Sequence, residues 1–184
     1  MASSVVSLLT ATLVLSLLAL QPRPTDAYAA RAIEWVCRRM EEFGFCHNFF
    51  YSHMDPEKDL VELMVGVTAE AALANATGSL AWIRATLANA TDPDTKNSLT
   101  ECENAYDLLV KAFTAADASY KKADYSDVVF QEKGTPRAQM SCQLIWSTLE
   151  NLMTERNRIM RILTAMAFVS ADYVNQCLTR FCPS

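Results

Sequence analysis

Residues 98–116 read SLTECENAYDLLVKAFTAA. Leu99, Cys102, Ala105, Tyr106, Leu109, Ala112, Phe113 and Ala116 recur at steps of three and four, which puts them on one face of an α-helix. Glu101, Glu103, Asn104, Asp107 and Lys111 fill the gaps and supply a polar face. Ser98-Leu99-Thr100-Glu101 has the form of a capping box, so the helix is expected to open there. Cys102 sits on the apolar stripe and is expected inside.

The same period extends in both directions. Asp55-Pro56 offers an N-cap with proline at the first helical position. After it come Leu60, Leu63, Met64, Val67, Ala71 and Ala74, and then Leu73, Leu80 and Leu87 with Ala76 and Ile83 beside them. Gly78-Ser79 marks a kink or break in this segment, and Asp92-Pro93 its end. A third stretch from about Ser126, interrupted at Gly134-Thr135-Pro136, carries Cys142, Ile145, Trp146, Leu149, Leu152 and Met153. A last one carries Ile159, Ile162, Leu163, Met166, Ala167, Val169 and Val174. Only 4 of the 184 residues are glycine, and no stretch alternates long enough for a sheet. The expected fold is all-α: an antiparallel up-and-down four-helix bundle. A pair of short helical pieces at 28–53 precedes it, with the turn expected at Gly44.

The N-terminus points to a compartment. Val5–Leu20 is an uncharged, apolar run, followed by Gln21-Pro22-Arg23-Pro24 and the small-x-small sequence Thr25-Asp26-Ala27. This reads as a secretory signal peptide over residues 1–27, leaving one domain at 28–184. The run is short for a span of about 20 residues, and no second run approaches that length, so no membrane association is expected after cleavage. A net charge of −5 without a basic block argues against nucleic acid as a partner. All six cysteines fall in 28–184, an even count that reads as a disulfide framework with the pairing open. Asn75-Ala76-Thr77 and Asn89-Ala90-Thr91 are N-glycosylation acceptors. On one helix they lie about 40° apart, so both glycans are expected on one outward face, away from the seam and from any binding face.

Catalytic chemistry finds little support. The only two histidines are His47 and His53, and no nucleophile elbow, P-loop or dinucleotide glycine motif occurs. Glu41-Glu42 and Glu101/Glu103 are splayed on a helix and read as solvated faces. Cys37, Cys46 and His47 offer three zinc ligands at most, at unsuitable spacing, and Cys-x-x-Cys is absent. No enzyme activity, metal or cofactor is expected. Met140, Trp146, Met153, Met160, Met166 and Phe168 suit a core; a lipid or small-ligand pocket is the alternative reading from another class.

The Cys37-x8-Cys46 hairpin, the Asp55-Pro56 linker and Glu101-Cys102-Glu103-Asn104-Ala105-Tyr106 at the start of a helix occur in a definite order. A further cysteine follows near the next helix, then Lys122-Ala123-Asp124-Tyr125-Ser126-Asp127 and Leu163-Thr164-Ala165-Met166-Ala167. Together, over residues 30–174, they resemble the plant invertase and pectin methylesterase inhibitor family. The resemblance implies bridges Cys37–Cys46 and Cys102–Cys142. It also implies a non-catalytic, secreted inhibitor docking over the cleft of a carbohydrate-active enzyme in the apoplast or vacuole. Pectin methylesterase is the first target and acid invertase the alternative. The contact face is expected among exposed residues of 99–150. Two features depart from the family pattern. Met40 stands where the family hairpin carries Thr, with no Pro following. Asp124-Tyr125-Ser126-Asp127-Val128 stands where some invertase-directed members carry Pro-Lys-Phe. Cys177 and Cys182 are additional to the usual four; they bridge each other or pair elsewhere. A monomer is expected, with a dimer linked through these cysteines as the alternative.

Overall fold

The computed structural model describes residues 26–57, 59–145 and 152–182. The hydrophobic run of the expected signal peptide, Trp146 and Leu149 lie outside them. Among the described residues there are seven helices: α1 (Asp26–Cys37), α2 (Phe43–His53), α3 (Leu63–Asn89), α4 (Pro93–Tyr120), α5 (Tyr125–Glu132), α6 (Thr135–Ile145) and α7 (Thr154–Thr179). The bundle consists of α3, α4, the broken pair α5/α6, and α7; α1 and α2 form a hairpin packed against α7. No strand occurs among the described residues. None of their helices is long and apolar enough to cross a membrane.

Three expected boundaries move, each for a local reason. Helix α4 opens at Pro93 rather than Ser98. The Asp92 carboxylate accepts the Thr95 N–H at 2.7 Å, and proline fills the first turn, where its missing N–H costs nothing. Ser98 is therefore a buried residue within the helix. Helix α3 opens at Leu63, not after Asp55. The Asp55 carboxylate accepts the Glu57 N–H at 3.1 Å, and the Asp55 N–H donates to Asp59 at 2.7 Å. These bonds satisfy the backbone in a turn that competes with helix. The α1–α2 turn falls at residues 38–42, and Gly44 lies inside the first turn of α2.

Helix α3 runs unbroken through Gly78-Ser79. Its buried face is Met64, Val65, Thr68, Ala69, Ala72, Ala76, Ser79, Leu80 and Ile83, while Leu60 is 68% exposed. The expected stripe was thus rotated along its first half. Alanine and other small apolar residues occur on every side of this helix, so sequence contrast does not set its phase. Close packing does. A Cβ added to Gly66 would lie 2.5 Å from the Tyr120 ring of α4, so that crossing needs a residue without a side chain.

The core forms two clusters joined along α7. The hairpin-end cluster contains Ile33, Val36, Phe50, Met64, Val128, Ile162 and Met166. The far-end cluster contains Ile83, Leu99, Tyr106, Leu109, Phe113, Met153 and Met160. Each such side chain removed from water contributes roughly 2 kcal/mol. Met153, Met160 and Met166 are fully buried core residues, whereas Met140 is 52% exposed.

Candidate functional site

Three disulfides fix the frame. Cys37 and Cys46 join α1 to α2 with Cα atoms 5.4 Å apart. Cys102 and Cys142 join α4 to α6 at 4.5 Å. Cys177 and Cys182 close the end of α7 at 4.1 Å. Among the described residues no cluster of three or more metal-binding side chains occurs. His47 instead stacks between Phe43 and Tyr51, with ring centroids 5.6 and 4.3 Å away, and His53 stacks on Phe49.

Glu41 and Glu42 are not the solvated pair that their sequence suggests. They sit in the hairpin turn and meet two arginines one turn apart on α7. Glu42 accepts from Arg158 at 2.6 Å, and Glu41 from Arg161 at 2.7 Å. Arg161 also donates to Gln143 of α6 at 3.1 Å, so one guanidinium ties hairpin, α7 and α6 together. Half-exposed pairs of this kind contribute modestly to stability and strongly to orientation. The signal for the clamp was the i, i+3 spacing of Arg158 and Arg161, which gains meaning only once its acidic partners are placed. Glu103 pairs with Arg84 of α3 at 2.7 Å, and Glu101 is exposed.

The bundle interior is unusually polar along α5/α6. Val128, Glu132, Thr135, Gln139 and Cys142 are all buried and recur at alternating steps of four and three. Glu132 is fully buried, and neither carboxylate oxygen has a hydrogen-bond partner among the described residues. Burial pushes its pKa up to about 8, so it is a neutral acid at moderate pH. Tyr106 donates to Asn157 Oδ1 at 3.0 Å, and burial raises its pKa too.

Outside, α4 and α6 present exposed side chains while their inner faces are joined through Cys102–Cys142. Glu101, Asn104, Leu108 and Lys111 share the outward face of α4, and Arg137, Met140, Ser141 and Leu144 that of α6. Leu108 is 58%, Met140 52%, Leu144 66% and Phe130 of α5 70% exposed. Asp107, beside this face, is held below the usual carboxylate range by its hydrogen bond from Lys111. The sequons lie on α3. Asn89 is exposed, but Asn75 is only half-exposed with its Oδ1 buried, so the two do not present themselves equally.

Fold and site together define a disulfide-tied antiparallel helical bundle with a clamped N-terminal hairpin and a rigid outer face. That is the fold of solved pectin methylesterase inhibitors. A mutant form of one from Arabidopsis superposes with a TM-score of 0.68 at 15% identity, covering 76% of this chain and 95% of that one. Another Arabidopsis pectin methylesterase inhibitor structure gives 0.59 at 15% identity, over 76% and 93%. No protein-family model matches the chain, and no curated protein matches its sequence. The likeness to these solved structures therefore lies in the fold.

Proposed function

We propose that the protein is a secreted, non-catalytic inhibitor that docks over the active-site cleft of a plant cell-wall carbohydrate-active enzyme, with pectin methylesterase the first target and acid invertase the second. The observation that carries this reading is the superposition over nearly the whole of a solved pectin methylesterase inhibitor. The geometry supports it. Cys102–Cys142 and the Arg158/Arg161 clamp preorganise the bundle, so docking costs less ordering entropy. Leu108, Met140 and Leu144 offer apolar anchors, with Glu101, Lys111 and Arg137 as polar surroundings. The contact face is assigned to these outer surfaces of α4 and α6, away from the sequons of α3. The signal peptide ends at Ala27, and glycans on Asn75 and Asn89 accompany export to the apoplast.

The test is an inhibition panel with oxidised protein, its disulfides verified by peptide mapping, against plant pectin methylesterase and acid invertase. Loss of pectin methylesterase activity at micromolar protein is expected. Full activity of both enzymes at that concentration refutes the inhibitor reading.

A further inference from the structure

The third disulfide differs from the other two in where it lies. Cys37, Cys46, Cys102 and Cys142 are fully buried, so no dissolved thiol reaches their sulfurs while the fold is closed. Cys177 is half-buried in the last turn of α7, and Cys182 is exposed beyond its end. The loop between them stands in water: Leu178, Thr179, Arg180 and Phe181 are all exposed, Phe181 to 91%. Tyr28 of α1 lies against the bridge. Its hydroxyl donates to Cys177 Sγ at 2.9 Å and also contacts Cys182 Sγ. The sequence separation is 5, against 9 and 40 for the buried bridges, so this one constrains the unfolded chain least. Opening it costs the fold less than opening either of the others.

We propose that Cys177–Cys182 is an exchangeable bridge, and that Cys182 is a site of reversible thiolation by a small monothiol of the glutathione class. The thiolate attacks Cys182 Sγ, the sulfur that solvent reaches. A mixed disulfide forms there, and the Cys177–Cys182 bond breaks. Its electron pair leaves on Cys177 Sγ, which takes a proton from water. One disulfide replaces another and one thiol replaces another, so no further oxidant or reductant enters. Exposed bridges exchange readily and buried ones slowly. By position alone Cys177 is a poor place for the departing charge, because the C-terminal end of a helix disfavours an anion. The Tyr28 hydroxyl offsets this, since it already donates to that sulfur and a hydrogen bond to the charged form favours it. Attack of Cys177 back on Cys182 releases the thiol, and the short loop makes that return easy. The modification therefore follows the thiol supply. This assignment stands on the bridge and its surroundings and does not require the inhibitor reading.

Incubation of the folded, oxidised protein from a secreting host with glutathione tests it. Freed thiols are trapped with N-ethylmaleimide, and the peptides are mapped by mass spectrometry over time. The expected product carries one glutathione on Cys182 and one maleimide on Cys177, with Cys37–Cys46 and Cys102–Cys142 intact. The same protein unfolded in urea should open all three bridges, which shows that the fold makes the selection. Tyr28→Phe keeps the ring and removes the donor, and should slow opening at least about threefold with an unchanged circular-dichroism spectrum. A tyrosine that only shielded the bridge would give the opposite sign, because its loss would speed opening. Cys177→Ser/Cys182→Ser should fold with the same spectrum and take up no glutathione. Opening of a buried bridge at the same rate, a first glutathione on any cysteine other than Cys182, no opening of the folded protein, or unslowed opening in Tyr28→Phe overturns the proposal. Enzyme inhibition enters none of these readouts, so failure of the inhibitor reading leaves them unchanged.

Discussion

Replacing Glu132 by Gln should remove a large pH dependence of stability. The side chain is fully buried, has no hydrogen-bond partner among the described residues, and is held neutral by burial with a pKa near 8. In the unfolded chain the ordinary value is 4.5. The native state thus holds a proton that the unfolded state releases between those values, so stability falls as pH rises through this window. Each pH unit costs about 1.4 kcal/mol: roughly 2 kcal/mol by pH 6, and a ceiling of roughly 5 kcal/mol by pH 8. Local opening of α5, which ends at Glu132 beside the Gly134 break, can hydrate the carboxylate and lower that ceiling. Glutamine keeps the shape and cannot ionise. Urea unfolding of both proteins at pH 4.5, 6, 7 and 8 isolates the effect, because all other titrating groups cancel in the difference. Glu132→Gln should match the parent within about 1 kcal/mol at the acid end, its unpaired amide replacing an unpaired acid. By pH 8 it should be more stable by several kcal/mol. Parallel pH curves for the two proteins refute the argument.

Four further outcomes follow from the packing. Leu108→Glu and Leu144→Glu, both on the outer face, should weaken inhibition at least about tenfold and leave the thermal midpoint unchanged; intact inhibition in both would move the docking face elsewhere. Cys102→Ser/Cys142→Ser, which opens a loop of sequence separation 40, should lower unfolding free energy by about 4 kcal/mol in denaturant titration. Tyr106→Phe leaves Asn157 Oδ1 without its donor and should cost about 1–3 kcal/mol by the same measurement. Gly66→Ala should destabilise by about 1–3 kcal/mol despite alanine's better helix propensity, because its Cβ meets the Tyr120 ring; Tyr120→Ala in the same chain should recover part of the loss.

The helical character of the chain and its class of fold were legible in sequence because they depend on local repeats. The α4 stripe from Leu99 to Ala116 is buried with little exception, Ala112 alone being half-exposed, since large apolar residues on one side and charges on the other leave a single phase. The Asp92-Pro93 pair reads in sequence as a stop and is also a start, one carboxylate capping the next helix directly. On α3, alanines on every side supplied no contrast, so neighbouring helices chose the buried face. The buried line through Glu132 was equally periodic, but its polar residues hid it from a search for apolar stripes.

What the sequence determined by itself is therefore local: helices, caps and the apolar faces where contrast is strong. What only the tertiary structure decided is pairwise and distant. Glu41 and Glu42 became a clamp when folding brought Arg161 and Arg158 across to them, 120 and 116 residues along the chain. Glu132 became a neutral buried acid because helices closed around it and removed the water that would hold its charge. Trp35 of α1 and Tyr173 of α7 became ring neighbours, with centroids 4.9 Å apart, only where the two helices pack. Periodicity records which side of a helix is apolar; partners across the fold, and the dielectric they create, exist only once the helices pack.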